Sequence, residues 1–155
     1  QELINNVPED LPLIWGDEVR VIQVLTNLVS NAHKYSHNDT TITVGGEVRE
    51  DYVDRQGNKR GKMVVVYVQD QGIGMSDEDQ QKLFKERYFR SSNNEAREMA
   101  SGTGLGMTLT YNIMVKHQGE IWIESAIGEG STFLISFPLA EDIQAKIERR
   151  EAVGD

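Results

Sequence analysis

The stretch Asp17 to Ser36, DEVRVIQVLTNLVSNAHKYS, decides how the chain is read. Val21, Val24, Leu25, Leu28, Val29 and Ala32 recur at helical spacing and gather on one side. Gln23, Asn27, Asn31 and Lys34 gather on the other. Asp17, following Gly16, is the expected N-cap. Asn27, Asn31 and Lys34 stand at i, i+4 and i+7, so their side chains stack along one stripe. Two amide oxygens and one ammonium on a stripe suit a metal ion and an anion held together. Mg²⁺ takes oxygen ligands and keeps waters and phosphate oxygens in its shell. An Asn carbonyl is a neutral ligand and serves where bound phosphates bring the negative charge. Alone, the same stripe reads as the wet face of an ordinary helix, so the rest of the chain has to decide.

Before this helix, Leu3–Val7 and Leu13–Trp15 read as two short strands around a Pro8–Pro12 turn. After it, Ser36–Asp39 is a polar turn and Thr40–Val48 a strand rich in Thr and Val. Residues Arg49–Lys62, with Gln56-Gly57-Asn58 and Arg60-Gly61, read as a long hairpin tip. Met63–Gln69, MVVVYVQ, is a strand buried on both faces that pairs antiparallel with Thr40–Val48. Asp70–Met75, DQGIGM, follows at its end, where two glycines mark a tight turn or a close backbone approach. Ser76 caps a short helix running to about Glu86, with Asp79 placed as in a capping box. Tyr88–Ser101 is polar and without apolar periodicity, the composition of a lid or a disordered link. Gly102–Met107, GTGLGM, opens a helix over Leu105–His117 that is expected to bury Leu105, Leu109, Ile113 and Met114 and to stop at Gly119. Glu120–Ser125 and Thr132–Pro138 are strands joined by a turn at Ile127–Gly130. From Ala140 the chain is charged, a helix or a frayed tail. Strands alternate with helices but are partly joined by hairpins. The fold predicted is α/β, a two-layer sandwich with a mixed sheet covered on one face by about three helices. A doubly wound dinucleotide fold fits poorly, because GTGLGM follows a polar loop rather than a strand.

A length of 155 residues, with 38% hydrophobic and 26% charged, is that of one domain with a real core. It opens on Gln rather than Met and is read as a piece of a longer protein. This piece holds neither a secretion leader nor a run of ~20 apolar residues, so no membrane contact is expected of it. The net charge of −9 disfavours nucleic acid as a partner, which requires a basic footprint, but leaves room for a local nucleotide site. With no cysteine, thiolate metal sites and thiol nucleophiles are excluded. His33, His37 and His117 form no ligand pattern.

Taken singly, each motif has a plain structural reading: glycines turn corners, Asp70 caps a turn, Lys34 is solvated. Taken together, they make a nucleotide site. GTGLGM at a helix start offers free N–H groups and a positive dipole end to phosphate. Asp70 can accept from an exocyclic amine, and Gly72 and Gly74 let the backbone lie against a flat ring. Asn27 and Asn31 would hold Mg²⁺ on the phosphates with Lys34 beside them.

This set resembles the catalytic, ATP-binding domain of sensor histidine kinases. That domain has the Bergerat-type ATP-binding fold, shared with gyrase, the mismatch-repair ATPases and the ninety-kilodalton heat-shock chaperones. NLVSNAHKYS is similar to the N box, DQGIGM to the first glycine box, LFKERYFR to the F box and GTGLGM to the second glycine box. GEGSTF is similar to the Gly-Thr segment that follows. The resemblance covers Leu3 to Leu139, leaving 140–155 as a tail or linker. It implies ATP and Mg²⁺ as cofactors, with Asn31 the main metal ligand and Asn27 assisting. Lys34 would contact phosphate and Tyr35 the ribose or adenine side. Asp70 would bind the adenine amine, with Thr132 nearby, and Gly72 and Gly74 would shape the base pocket. Gly102, Thr103, Gly104, Leu105 and Gly106 would wrap the phosphates. The F box here is one residue longer than the family's usual pattern. Arg90, after the aromatic pair, is preferred over Arg87 as the residue that reaches the γ-phosphate.

The superfamily's ATPases carry a Glu four residues before the metal Asn, placed to activate water. Here that position is Asn27, which takes no proton, so weak hydrolysis and a different acceptor are expected. The resemblance implies a histidine on a separate dimerisation and phosphoacceptor domain. None of the three histidines here is followed by Glu or Asp, so that acceptor is expected outside this chain. A response regulator is the implied downstream partner and the cytoplasm the implied compartment. The alternatives are a degenerate nucleotide-sensing or docking module without kinase activity, and a serine-directed anti-sigma-factor kinase of the same superfamily.

Overall fold

A computed structural model describes residues 1–84 and 105–153. Its strands are β1 (Glu2–Asn6), β2 (Thr41–Val53), β3 (Lys59–Gln69), β4 (Ile121–Ser125) and β5 (Ser131–Pro138). Its helices are α1 (Glu18–Lys34), α2 (Asp77–Lys82), α3 (Leu105–Lys116) and α4 (Ala140–Val153). The five strands form one mixed sheet in the order β1-β2-β3-β5-β4. β1 pairs parallel with β2, which requires a crossover, and α1 supplies it. The other pairings are antiparallel.

Strand alternation divides the core. Ile42, Val68, Phe133, Ile135, Phe137 and Ile121 point to the helical side, where they meet Val24, Leu28 and Ala32 of α1 and Met107, Ile113 and Met114 of α3. Met63, Val65, Leu134 and Trp122 point to the opposite face and cluster with Tyr52. Both faces of β3 are therefore buried, as its unbroken apolar run requires. α1 begins where expected: the Asp17 carboxylate accepts from the N–H groups of Val19 (2.9 Å) and Arg20 (3.3 Å).

Four local expectations are corrected. Leu13–Trp15 is not a strand; it makes a single bridge, Ile14 to Leu139, between Pro12 and Gly16. The hairpin tip is short, because the strands run on to Val53 and resume at Lys59. Asp54 makes that possible: its Oδ1 accepts from Gln56 N (3.0 Å) and Asn58 N (2.8 Å), closing the turn. These bonds, the one from the Asn58 backbone foremost, hold the Asp54 carboxyl below its ordinary range. α2 ends at Lys82 with Leu83 as its C-cap, and residues 85–86 of the longer expected helix lie outside the described residues. On α3, Leu109 is exposed, whereas Met107, Thr110, Ile113 and Met114 are buried. A threonine sits in the apolar stripe where a leucine was expected.

Candidate functional site

The site lies where β3 ends, between the C-terminal half of α1 and the first turn of α3. At the end of β3 the Asp70 N–H donates to Ser131 O (2.8 Å). Its Oδ1 in turn accepts from Gly72 N (2.9 Å) and Ser131 N (3.0 Å). The carboxylate is therefore gripped on one oxygen by both flanking segments, and among the described residues Oδ2 carries no hydrogen bond. Burial pushes the Asp70 carboxyl above its ordinary range, and the two backbone N–H groups pull the other way.

Gly72 is required by contact. A Cβ there would overlap the Tyr35 carbonyl and lie 3.0 Å from both Asp70 Oδ1 and Ser36 Oγ. Tyr35 O also accepts from Ile73 N (3.2 Å), so the DQGIGM loop is stitched to the end of α1. Gly74 has φ +74°, and a side chain there would strike the Ala126 carbonyl. Asp70 Oδ1, Ser36 Oγ and the Tyr35 carbonyl thus all crowd the Cα of Gly72, a packing that only a glycine allows. Ser36 is 5% exposed, and its hydroxyl has no hydrogen-bond partner among the described residues. A buried donor left unpaired beside a half-free carboxylate fits a polar ligand edge that presents both a donor and an acceptor.

Asn27 and Asn31 are half-buried on α1, one turn apart, and Lys34 is exposed beyond them. Asn27 Nδ2 donates to Thr110 Oγ1 (3.1 Å), and a Cβ added at Gly106 would lie 4.0 Å from the same amide. The side chains of Asn31 and Lys34 make no hydrogen bond or ion pair among the described residues. Those residues also hold no cluster of three or more His, Cys, Asp or Glu that could hold a metal ion. The donor set is thus two neutral amides, which suits a hard cation that arrives with phosphate oxygens. In this sense the residues fit Mg²⁺.

Thr132 differs from expectation. Its Cα pairs with Gln69 and Glu124, and by alternation its side chain shares the face of Leu134. Ser131, one residue earlier and in parity with Phe133, is the residue that bonds Asp70. The period-two pattern of Phe133, Ile135 and Phe137 was the signal for it. Ser36 and Thr110 were also passed over, since a lone hydroxyl carries no pattern. Leu105 opens α3, and Gly106 lies exposed in its first turn. Gly102, Thr103, Gly104, Arg87 and Arg90 lie outside the described residues, as does the expected lid, residues 88–103.

The family described as histidine kinase-, DNA gyrase B- and HSP90-like ATPase matches residues 16–141, and the chain belongs to it. Within that family the relatives it resembles are sensory and sensor histidine kinases. It is 36% identical over 138 residues to the adaptive-response sensory kinase SasA of Crocosphaera subtropica, covering 89% of this chain and 32% of that one. It is 36% identical over 125 residues to the sensor histidine kinase RppB of Synechocystis, covering 81% and 25% respectively. The chain therefore spans a third or less of these relatives. Its fold matches full-length ShkA, solved in complex with AMPPNP, with a TM-score of 0.68 at 23% identity, covering 90% of this chain and 26% of that one. The mixed sheet with its helical layer is the fold of this class.

Proposed function

We propose that this chain binds Mg²⁺–ATP and presents it for transfer of the γ-phosphoryl group to a histidine on the dimerisation and phosphoacceptor domain of the longer protein. The observation that carries the reading is the half-free, buried Asp70 carboxylate near the unpaired Ser36 hydroxyl, both packed against Gly72. An adenine edge offers an amine donor to the first and a ring nitrogen acceptor to the second. Support also comes from the AMPPNP bound in ShkA.

Asn27 and Asn31 would hold the metal, and Lys34 would meet phosphate. When bound, Mg²⁺ neutralises phosphate charge and polarises the transferring group. The chain's own residues bind and orient. No carboxylate stands at position 27 to activate water, and the Asn27 amide is committed to Thr110. That absence of a base favours an external nucleophile over hydrolysis. Tyr35 would border the sugar or base. Arg90 and the segment Gly102–Gly106 would complete the phosphate contacts. The ATP-binding domain would run over 1–139, with 140–155 as tail or linker. A response regulator would take the phosphoryl group onward. The need for ATP places the domain in the cytoplasm. No helix among the described residues is long and apolar enough to cross a membrane.

The test is phosphotransfer from labelled ATP to a supplied helical phosphoacceptor domain. Acid-labile, base-stable phosphohistidine is expected. Acid-stable phosphoserine on a partner would overturn the histidine assignment, and absence of nucleotide binding would overturn the whole reading.

A further inference from the structure

Thr110 is 0% exposed and sits in the apolar stripe of α3, between Met107 and Met114. Its Oγ1 lies 2.7 Å from Gly106 O, one turn back, and 3.1 Å from Asn27 Nδ2 on α1. A carbonyl oxygen only accepts, so the hydroxyl proton goes to Gly106. The lone pairs left on Oγ1 then face Asn27, and only the amide NH₂ can satisfy them. A flipped amide would set two acceptors against each other at a residue that is 0% exposed. The Asn27 side chain is therefore fixed with Nδ2 toward Thr110 and Oδ1 turned away from it.

We propose that Thr110 is a positioning residue for the metal. It locks the Asn27 amide so that its oxygen is presented as a ligand, and it ties that ligand to the first turn of α3. The proposal rests on the nucleotide reading above. It adds that the helix opened by the glycine-rich segment and the metal-binding stripe of α1 are joined through one hydroxyl. Groups behind a ligand commonly tune metal affinity in this way.

The experiment uses the whole chain with three variants: T110V, T110S and N27A. Calorimetric titration of a nonhydrolysable ATP analogue, with and without Mg²⁺, separates metal-dependent from metal-independent affinity. T110V is expected to lower the Mg²⁺-dependent part by roughly tenfold and to leave Mg²⁺-free ADP binding unchanged, while T110S restores the Mg²⁺ response. In the N27A background, T110V should add nothing further. A second readout needs no nucleotide. The Asn27 side-chain NH₂ should give NMR signals displaced from those of a free amide and protected from solvent exchange in the wild type and in T110S, and signals moved toward the free-amide position with faster solvent exchange in T110V. An unchanged Mg²⁺ response in T110V, or unchanged Asn27 amide signals, would overturn the proposal. Wild-type protein that binds no nucleotide would instead overturn the proposed function, while the amide signals would still report on the lock.

Discussion

The Asp70 carboxylate accepts the Ser131 N–H at 3.0 Å, while the Asp70 N–H donates to the Ser131 carbonyl at 2.8 Å. One residue at the end of β3 is thereby clamped on both its main chain and its side chain to the first residue of β5. The Gly72 N–H reaches the same carboxylate oxygen. This arrangement fixes the carboxylate rotamer and leaves the second oxygen for a ligand. It costs the fold a buried negative charge, part of which the two N–H groups repay in hydrogen bonds.

Asp70→Asn separates these roles. Asn keeps an oxygen for the Gly72 and Ser131 donors but replaces the ligand-facing acceptor with an NH₂ group. Nucleotide affinity should drop by tenfold or more, about 1.4 kcal/mol or above. Melting temperature without nucleotide at neutral pH should stay level or rise, because a buried charge has been removed. Calorimetry and thermal unfolding on the same samples check both. A large fall in melting temperature would show that the charge itself holds the loop.

The raised pKa of Asp70 has a signed consequence. The folded chain keeps this proton to a higher pH than the unfolded chain does. Between the ordinary carboxylate range and the raised value, the folded state binds more protons, so its contribution to stability falls as pH rises through that window. Ligand binding runs the other way, since an amine donor needs the ionised acceptor. Nucleotide affinity should therefore weaken as pH is lowered through the raised range, and Asp70→Asn should flatten both profiles. Titrations across the acid limb, at constant ionic strength, are the measurement.

Gly72→Ala puts a methyl group against the Tyr35 carbonyl. Backbone cannot swing aside as a side chain does, so the loop must shift. A loss of about 1–3 kcal/mol in stability is expected, together with weaker nucleotide binding. Gly106→Ala is the contrast: its added Cβ would lie 4.0 Å from the Asn27 amide, an ordinary contact. Chemical denaturation of the two variants should rank them in that order.

The glycine pair, Asp70 and the N-box helix were legible because each follows from spacing: period 3.6 on α1, and glycines at a strand end. The parallel pairing of β1 with β2 was not, since a five-residue strand gives no sign of its neighbour's direction. The tip of the β2–β3 hairpin was overestimated because charged residues and glycines read as loop. What keeps those residues in strands is tertiary: Tyr52 is buried on the far face of the sheet, and Asp54 closes a five-residue turn. Thr110 was not among the residues expected on the buried stripe of α3. Its burial follows from a partner 83 residues away, which no local pattern encodes.

Lys34 ends α1 exposed to solvent and without an ion pair among the described residues. Lys34→Ala should weaken ATP binding roughly fivefold, about 1 kcal/mol for an exposed charge-assisted contact, and leave adenosine binding unchanged. The wild-type advantage should shrink with added salt. Equal losses for ATP and adenosine would place the lysine's effect on the helix rather than on phosphate.

The far face of the sheet provides the test of independence. There the Tyr52 hydroxyl donates to Glu120 Oε1 (2.7 Å), Arg55 reaches the same oxygen (3.3 Å), and the Arg55 guanidinium lies 3.5 Å over the Trp122 ring. Burial raises the Tyr52 pKa, and hydrogen bonding to Glu120 adds to the shift. The hydroxyl is therefore a neutral donor at physiological pH. Tyr52→Phe removes that donor from a carboxylate still held by Arg55, so a loss of about 1 kcal/mol is expected. Arg55→Ala exposes Trp122 and removes a cation–π contact worth about 0.5–2 kcal/mol. Trp122 is one of only two tryptophans, so its emission should shift in the Arg55 variant. None of these residues reaches Asp70, Asn27 or Asn31, and the sheet lies between. Nucleotide affinity, measured well below the variants' melting temperatures, should match the wild type. A change in affinity with stability intact would mean that the hairpin and the nucleotide site are coupled through β3, the strand that carries Met63 against Tyr52 at one end and Asp70 at the other.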